Sequence, residues 1–377
     1  MNRARKQHPY WLILVAVLGI LLSSCGFPGM VSTTQQLPPV KPTPSPTPLP
    51  PARLPQDDGR HNNLTEWWYY TGHLTAKEAT GKLRHYGFEF VIFQVLRADL
   101  PPFYASHFAI TDKSKGTFQY DQRRIMSPTI ARNDVKGFDL HIGDWTMQGY
   151  NGQDHLAASM QNYAITLQLA ARKPAALHNG DGLIPYGLAG FSYYYSRTKM
   201  NVSGSIVDHG QMLQIEQGQA WMDHQWGDFL TLASGGWEWF SLQLHDNSEI
   251  MVYYIRDASG KVLATYVGYV DASGKDIVLP ASALHTTILE QWKSPHTGFV
   301  YPSGWKIEIT DKRIPITLLI KPVLKDQELV VKQTTGNVYW EGAVTVEGQK
   351  HGKPVTGDGY VELTGFTKKR QKAPGFS

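Results

Sequence analysis

From about residue 57 onward, apolar and polar positions alternate with a period of two, in short runs separated by turn residues. Successive side chains of a strand point to opposite faces, so such runs predict half-buried β-strands. Tyr163 to Leu169 is a clear instance, with Tyr163, Ile165, Leu167 and Leu169 on one face. Trp305-Lys306-Ile307-Glu308-Ile309 repeats the pattern, and Phe88 to Val95 reads as a strand with a largely apolar run. Ile250 to Ile255 and Val262 to Val270 flank Asp257-Ala258-Ser259-Gly260, and Asp271-Ala272-Ser273-Gly274 closes the second of them. Turns about 14 residues apart suit an antiparallel meander or barrel. No segment carries a helical period beyond two turns; only Ala281 to Trp292 leaves helix and strand both open.

The pattern also echoes itself. Glu66-Trp67-Trp68-Tyr69 is followed by Phe88-Glu89-Phe90-Val91, and much later Trp237-Glu238-Trp239-Phe240 is followed by Glu249-Ile250-Met251-Val252. Each pair is an aromatic strand with a glutamate, then a strand with a glutamate near its start. A degenerate duplication is expected, with domains at 57–232 and 233–377.

Upstream the composition changes the picture. Arg3, Arg5 and Lys6 precede a twelve-residue apolar run, Trp11 to Leu22. Spanning a bilayer takes roughly 20 apolar residues, so residues 1–24 read as a signal peptide and not as a membrane helix. The run ends at Leu22-Ser23-Ser24-Cys25-Gly26, which resembles a bacterial lipobox, and Cys25 is the only cysteine in the chain. Lipidation of Cys25 is therefore expected, with a membrane as one partner and the cell envelope as the location. Gly26 after the cysteine favours the outer membrane over the inner. Pro38, Pro39, Pro42, Pro44, Pro46, Pro48, Pro50 and Pro51 then mark residues 25–56 as an extended proline-rich tether.

Charge removes one class of partner. The formal charge is +4, and subtracting the three cations of the leader leaves +1 for the rest. Nucleic acid binding needs a concentrated basic surface, so it is not expected. Hydrophobic residues at 42% against 18% charged are an ordinary globular balance, while 11 Trp and 19 Tyr supply rings suited to strands and apolar pockets.

Three runs are more specific: Asn63-Leu64-Thr65-Glu66-Trp67-Trp68-Tyr69-Tyr70-Thr71-Gly72-His73-Leu74, then Gln219-Ala220-Trp221-Met222-Asp223-His224-Gln225-Trp226-Gly227, then Tyr339-Trp340-Glu341-Gly342 with Gly357 to Gly365 after it. In this order they resemble the family that unites carotenoid 1,2-hydratase (hydroxyneurosporene synthase) with the AttH-like lipocalin proteins, often labelled secreted hydrolases, over about residues 57–370. The resemblance implies an all-β fold of two tandem lipocalin-like barrels. It implies an apolar small molecule as ligand, an isoprenoid, carotenoid or lipid, and no cofactor.

Alkene hydration needs an acid to protonate the double bond, aromatic faces to shelter the cation, and water to attack it. The resemblance puts His224 and Trp226 in the catalytic group. By alternation those two share a face, while Asp223 and Gln225 point the other way. An aromatic-x-carboxylate pair on the next strand supplies the proton in the family's hydratases. This chain departs there, because Ile255 stands two residues after Tyr253 and Arg256 two after Tyr254.

Asp223 and His224 read either as an acid/base couple or as a hydrogen-bonded structural pair. Tyr254 joins the candidate catalytic set with them and Trp226. Glu66, Trp68, Tyr70, His73, Glu89, Trp221 and Tyr253 are candidate ligand-binding residues, with a core or capping role as the alternative for each. No metal site is expected, because the histidines show no His-Glu-x-x-His run or compact ligand spacing. No Gly-x-Ser-x-Gly elbow marks a serine nucleophile. A hydratase or hydrolase, a non-catalytic binding lipoprotein and a structural envelope lipoprotein all remain open.

Overall fold

The computed structural model describes residues 49–98, 100–126, 136–185, 190–229 and 235–367. The leader, Cys25, the tether as far as residue 48 and the expected domain boundary at 232/233 lie outside them. Among the described residues, the strands form two antiparallel sheets, and the helical pieces are short 3-10 turns.

The first sheet holds β1 (Thr65–Lys77), β2 (Leu83–Arg97), β3 (Leu100–Asp112), β4 (Thr117–Met126), β5 (Phe138–Ile142), β6 (Trp145–Tyr150), β7 (Gln153–Ser159), β8 (Tyr163–Ala171), β9 (Ala176–Leu177), β10 (Leu183–Pro185), β11 (Phe191–Asp208) and β12 (Gln211–Gly227). The second holds β13 (Trp237–Leu244), β14 (Glu249–Arg256), β15 (Val262–Val270), β16 (Asp276–Val278), β17 (Leu284–Lys293), β18 (Val300–Ile309), β19 (Ile316–Pro322), β20 (Glu328–Val331), β21 (Asn337–Lys350) and β22 (Lys353–Leu363). In each sheet the first strand pairs with both the second and the last, which curls a meander into a barrel. Arg123 of β4 links the free edges of the first sheet, reaching the Ile142 carbonyl at 3.3 Å and pairing with Asp144. The expectation of two tandem lipocalin-like barrels is met.

The segment left open, Ala281 to Trp292, resolves into a 3-10 turn and the strand β17. The echo has a structural counterpart. Glu89 pairs with Thr71, five positions after Glu66, and Glu249 pairs with Gln243, five positions after Glu238. The two glutamate pairs therefore hold equivalent places in the two sheets.

Packing against the first barrel includes residues before 57. Ala52 is buried in the first barrel's core and donates its N–H to the Asp181 carbonyl at 2.9 Å. Asp58 is fixed by Arg197 Nη2 at 2.7 and 3.0 Å and by the Tyr195 hydroxyl at 2.6 Å. The last residues of the expected tether thus belong to the barrel.

One apolar core fills each barrel, around Trp68, Trp145 and Tyr195 in the first and Trp305 and Trp340 in the second. A third core lies between the sheets, where Tyr69, Val91, Tyr194 and Trp221 of the first meet Trp239, Met251, Tyr266 and Tyr360 of the second. The approach is close: a Cβ on Gly87 would fall 2.4 Å from the Tyr360 hydroxyl and 2.8 Å from the Ala343 Cβ. Seam strands are accordingly buried on both faces.

The barrels are also tied by a buried ion pair. Lys173, between β8 and β9, donates to Glu249 Oε2 at 2.7 Å and to the Asn247 and Asp271 carbonyls at 2.6 and 2.8 Å. Removing one partner strands the other in a low dielectric. Lys173→Met should therefore lower stability in urea denaturation by about 3–5 kcal/mol, and adding Glu249→Leu should recover most of it. A single-variant loss inside the error of the measurement would show that the pair does not hold the sheets together.

Candidate functional site

Alternation along β12 sends neighbouring side chains to different places. His224 and Trp226 point into the first barrel, with ring centroids 4.7 Å apart. Asp223 and Trp221 point into the seam. The expected Asp223–His224 couple is therefore not formed, because adjacent strand residues face opposite ways. The carboxylate facing His224 is Glu66, whose Oε1 lies 2.9 Å from His224 Nε2.

Inside the first barrel Glu66 is the hub. Its Oε1 also lies 2.8 Å from His61 Nδ1, and its Oε2 accepts from the His61 backbone N–H at 2.9 Å and from Gln94 Nε2 at 3.0 Å. His61 stacks on Trp226 at 4.0 Å and His224 on Trp68 at 4.8 Å. Burial opposes charge on His61, but its hydrogen bonds to the Asp57 and Glu66 carboxylates and their charge together outweigh it and raise its pKa. Burial lowers that of His224 despite Glu66, so this imidazole favours the neutral form. His61, Glu66 and His224 place their ligand atoms within 4.8 Å of one another. Sequence spacing gave no sign of such a set, since it joins a loop, β1 and β12.

The second polar cluster is in the seam. Asp223 accepts from the Tyr194 hydroxyl at 2.6 Å, from Trp221 Nε1 at 2.6 Å and from the Ser196 hydroxyl. Glu341 accepts from the Tyr69 hydroxyl at 2.7 Å, and Glu362 from Trp237 Nε1 at 2.7 Å. Glu89 is 3.3 Å from the Tyr339 hydroxyl, which also contacts His107 Nδ1 at 2.7 Å. Oε2 of Glu89 and Oε2 of Glu341 are buried with no hydrogen-bond partner among the described residues.

Desolvation decides the charge of these groups. Burial, reinforced by repulsion from Glu362, pushes the Glu89 carboxyl up to about 8. Burial and the neighbouring Glu362 and Glu89 push Glu341 well above the ordinary range. Burial raises Glu362 to about 7. Burial also raises Asp223, but its three hydrogen bonds pull back and leave it near about 6. Neutral pH therefore favours the protonated form of Glu89 and Glu341, while Asp223 has the lowest value of the set.

The remaining expected residues scatter. Glu89, Trp221 and Asp223 meet in the seam, and Tyr253 stacks on Tyr266 at its margin with centroids 5.2 Å apart. Tyr70 donates to Asp154 inside the first barrel at 2.8 Å, and His73 Nε2 lies 3.0 Å from the Gly359 carbonyl. Tyr254 does not join His224. It packs against the second barrel's core, with its hydroxyl 2.7 Å from that of Thr286. His178 Nε2 lies 2.7 Å from Ser196 Oγ, but Asp223 meets the serine and His178 Nδ1 meets Tyr266, so no serine-hydrolase relay results.

Sequence reasoning did not single out His61, Gln94, Tyr69, Tyr194, Glu341 or Glu362 as site residues. Glu341 and Glu362 stood in the third quoted run, where a pairing register would have placed them together: they are direct partners across β21 and β22.

Raised carboxyl values make stability depend on pH. The folded chain keeps protons that the unfolded chain releases near pH 4–5, so this stability is complete below that range and is lost as pH rises through about 7 and 8. The unfolding free energy from urea denaturation, and with it the midpoint, should fall between pH 6 and pH 9, by about 1.4 kcal/mol per pH unit for each carboxyl while the pH is still below its folded value. Glu89→Gln should flatten the slope. A midpoint that stays level or rises would mean the seam carboxyls are already ionised.

Comparison with known proteins agrees with this architecture. The family model described as AttH-like matches residues 45–366. Kievitone hydratase of Fusarium solani subsp. phaseoli is 23% identical over 309 residues, covering 79% of this chain and 81% of that protein. The crystal structure of a protein described as AttH from Nitrosomonas europaea superposes with a TM-score of 0.73 at 30% identity, covering 88% of this chain and 100% of that one. Kievitone hydratase from Nectria haematococca shares the fold, with a TM-score of 0.67 at 19% identity over 84% of this chain and 93% of that one.

Proposed function

Since the chain belongs to the AttH-like family, we propose that it is a cofactor-independent hydratase that adds water across a carbon–carbon double bond of an apolar, isoprenoid-type molecule. The observation that carries this reading is the seam cluster, in which Glu89 and Glu341 each bury an oxygen without a hydrogen-bond partner, in strands that supply the aromatic rings of the third core. A carboxylic acid kept neutral at physiological pH is the proton donor that alkene hydration needs. Asp223, with the lowest value of the set, is the base.

The steps balance. The alkene π pair takes the proton of Glu341 or Glu89, forming a C–H bond and a tertiary cation. Faces of Tyr69, Trp237 and Trp239 stabilise that cation. Water attacks and forms the C–O bond, its proton passes to Asp223, and return of one proton to the glutamate restores the site. The similarity to a protein named kievitone hydratase supports this class of reaction.

The test is incubation of purified protein with lycopene-like polyenes and prenylated aromatics, read by mass spectrometry. A product heavier by one water is expected, with the Glu89→Gln, Glu341→Gln double variant reducing kcat by about 100-fold or more and the single substitution at the donating glutamate accounting for most of that loss. The rate should rise with pH through about 6, as Asp223 ionises, and fall through about 8, as Glu89 loses its proton. Bound ligand recovered unchanged, with binding indifferent to both substitutions, would remove the enzyme reading. A non-catalytic lipid-binding lipoprotein is then the second reading. Arg256, paired with Glu238 where the resemblance would want a carboxylate beside Tyr254, favours it.

We further propose that the protein works at a lipid surface, tethered through an acylated Cys25 in the cell envelope, on the outer-membrane side in a diderm bacterium. Radiolabelled palmitate should enter the wild-type chain and not Cys25→Ala. Equal labelling of the two would dismiss the anchor.

A further inference from the structure

The polar cluster inside the first barrel takes no part in the hydration steps, and its geometry points elsewhere. We propose that His61, Glu66 and His224 bind one divalent ion of the first transition row, of the zinc class. Two imidazole nitrogens converge on one carboxylate oxygen, at 2.8 and 2.9 Å. Ligands about 2.0–2.2 Å from a tetrahedral ion stand about 3.3–3.6 Å from each other. The three ligand atoms already lie within 4.8 Å of one another, so shifts of under about 1 Å would admit an ion in place of the protons the groups now share.

The surroundings are built to hold these groups in that orientation. Glu66 Oε2, the oxygen turned away from the imidazoles, is held by Gln94 Nε2, and the His61 backbone N–H bridges both oxygens at 2.9 Å to Oε2 and 3.1 Å to Oε1, which fixes the carboxylate with Oε1 at the shared position. Gln94 is itself fixed by the Tyr104 hydroxyl at 2.9 Å and donates to the His61 carbonyl at 2.9 Å. The Tyr195 hydroxyl, 3.3 Å from His224 Nδ1, directs Nε2 to the ligand side. Trp226 and Trp68 lie flat against the two imidazoles and fix their planes. Outer partners of this kind set tautomer and ring orientation in metal sites.

Donor type sets the ion. Two nitrogens and one carboxylate oxygen suit zinc, cobalt, nickel or iron(II), whereas magnesium and calcium prefer all-oxygen sets. Glu66 and His224 are sealed from solvent, and the 20% exposure of the His61 side chain gives the entry path. Three protein ligands leave a fourth position for water. Such an ion would clamp the loop before β1 onto β1 and β12.

The test is titration of chelator-stripped full-length protein with Zn²⁺ by calorimetry and with Co²⁺ by visible absorption, in the absence of any substrate. One equivalent should bind, and Co²⁺ should give the intense visible bands of a tetrahedral site. His61→Ala, which alters only a loop side chain, and Glu66→Gln should each weaken binding by about 100-fold. Gln94→Leu should weaken it by about 10-fold. His296→Ala, an exposed histidine paired with Asp326, should change nothing. Absence of stoichiometric binding, binding indifferent to His61→Ala and Glu66→Gln, or loss with His296→Ala would each overturn the proposal. None of these outcomes bears on the seam carboxyls, so the hydratase reading stands or falls separately.

Discussion

A sheet buried on both faces has no water for its polar residues, and that constraint shapes this molecule. In each barrel the first strand lies between the second and the last, and it is this part of each wall that packs against the other barrel. One side-chain set from these strands therefore enters a barrel, and the other enters the seam. Leu, Phe and Trp gain from both environments. A carboxyl group gains from neither and must find hydrogen-bond donors, a cation or a proton.

All three answers occur along equivalent strands. Glu249 takes Lys173 as its cation, and Glu66 takes imidazole and amide donors. Glu89 and Glu341 keep protons. The two sheets therefore hold glutamates at equivalent places and satisfy them by different chemistry. On one side of the seam the Glu249 position became a lock, and on the other the Glu89 position joined a group of acids. The ion pair of Glu249 ties the sheets together, whereas burial without a cation raises the pKa of Glu89 and Glu341.

Much of the fold was legible because it rests on local rules. Period-2 runs such as Tyr163 to Leu169 and the paired Asp-Ala-Ser-Gly turns identify strands and hairpins without tertiary information. The shared face of His224 and Trp226 followed from the same alternation, and it also separates Asp223 from His224. The rest required knowing which strands meet. Glu341 and Glu362 are opposite each other only because β21 pairs with β22, and His61 reaches His224 only after the chain before β1 folds over the barrel. Raised carboxyl values are likewise products of burial at the seam, which no spacing along the chain encodes.

Infrared spectroscopy reads the protonation of the seam acids most directly. A buried protonated carboxyl shows a C=O stretch, sensitive to deuteration, that an ionised carboxylate lacks. The difference spectrum between wild type and the Glu89→Gln, Glu341→Gln double variant should contain that band at neutral pH and lose its Glu89 component as pH passes about 8. A difference spectrum with carboxylate bands alone at pH 6 would mean the seam holds charges, and the proton donors on which this account rests would not exist.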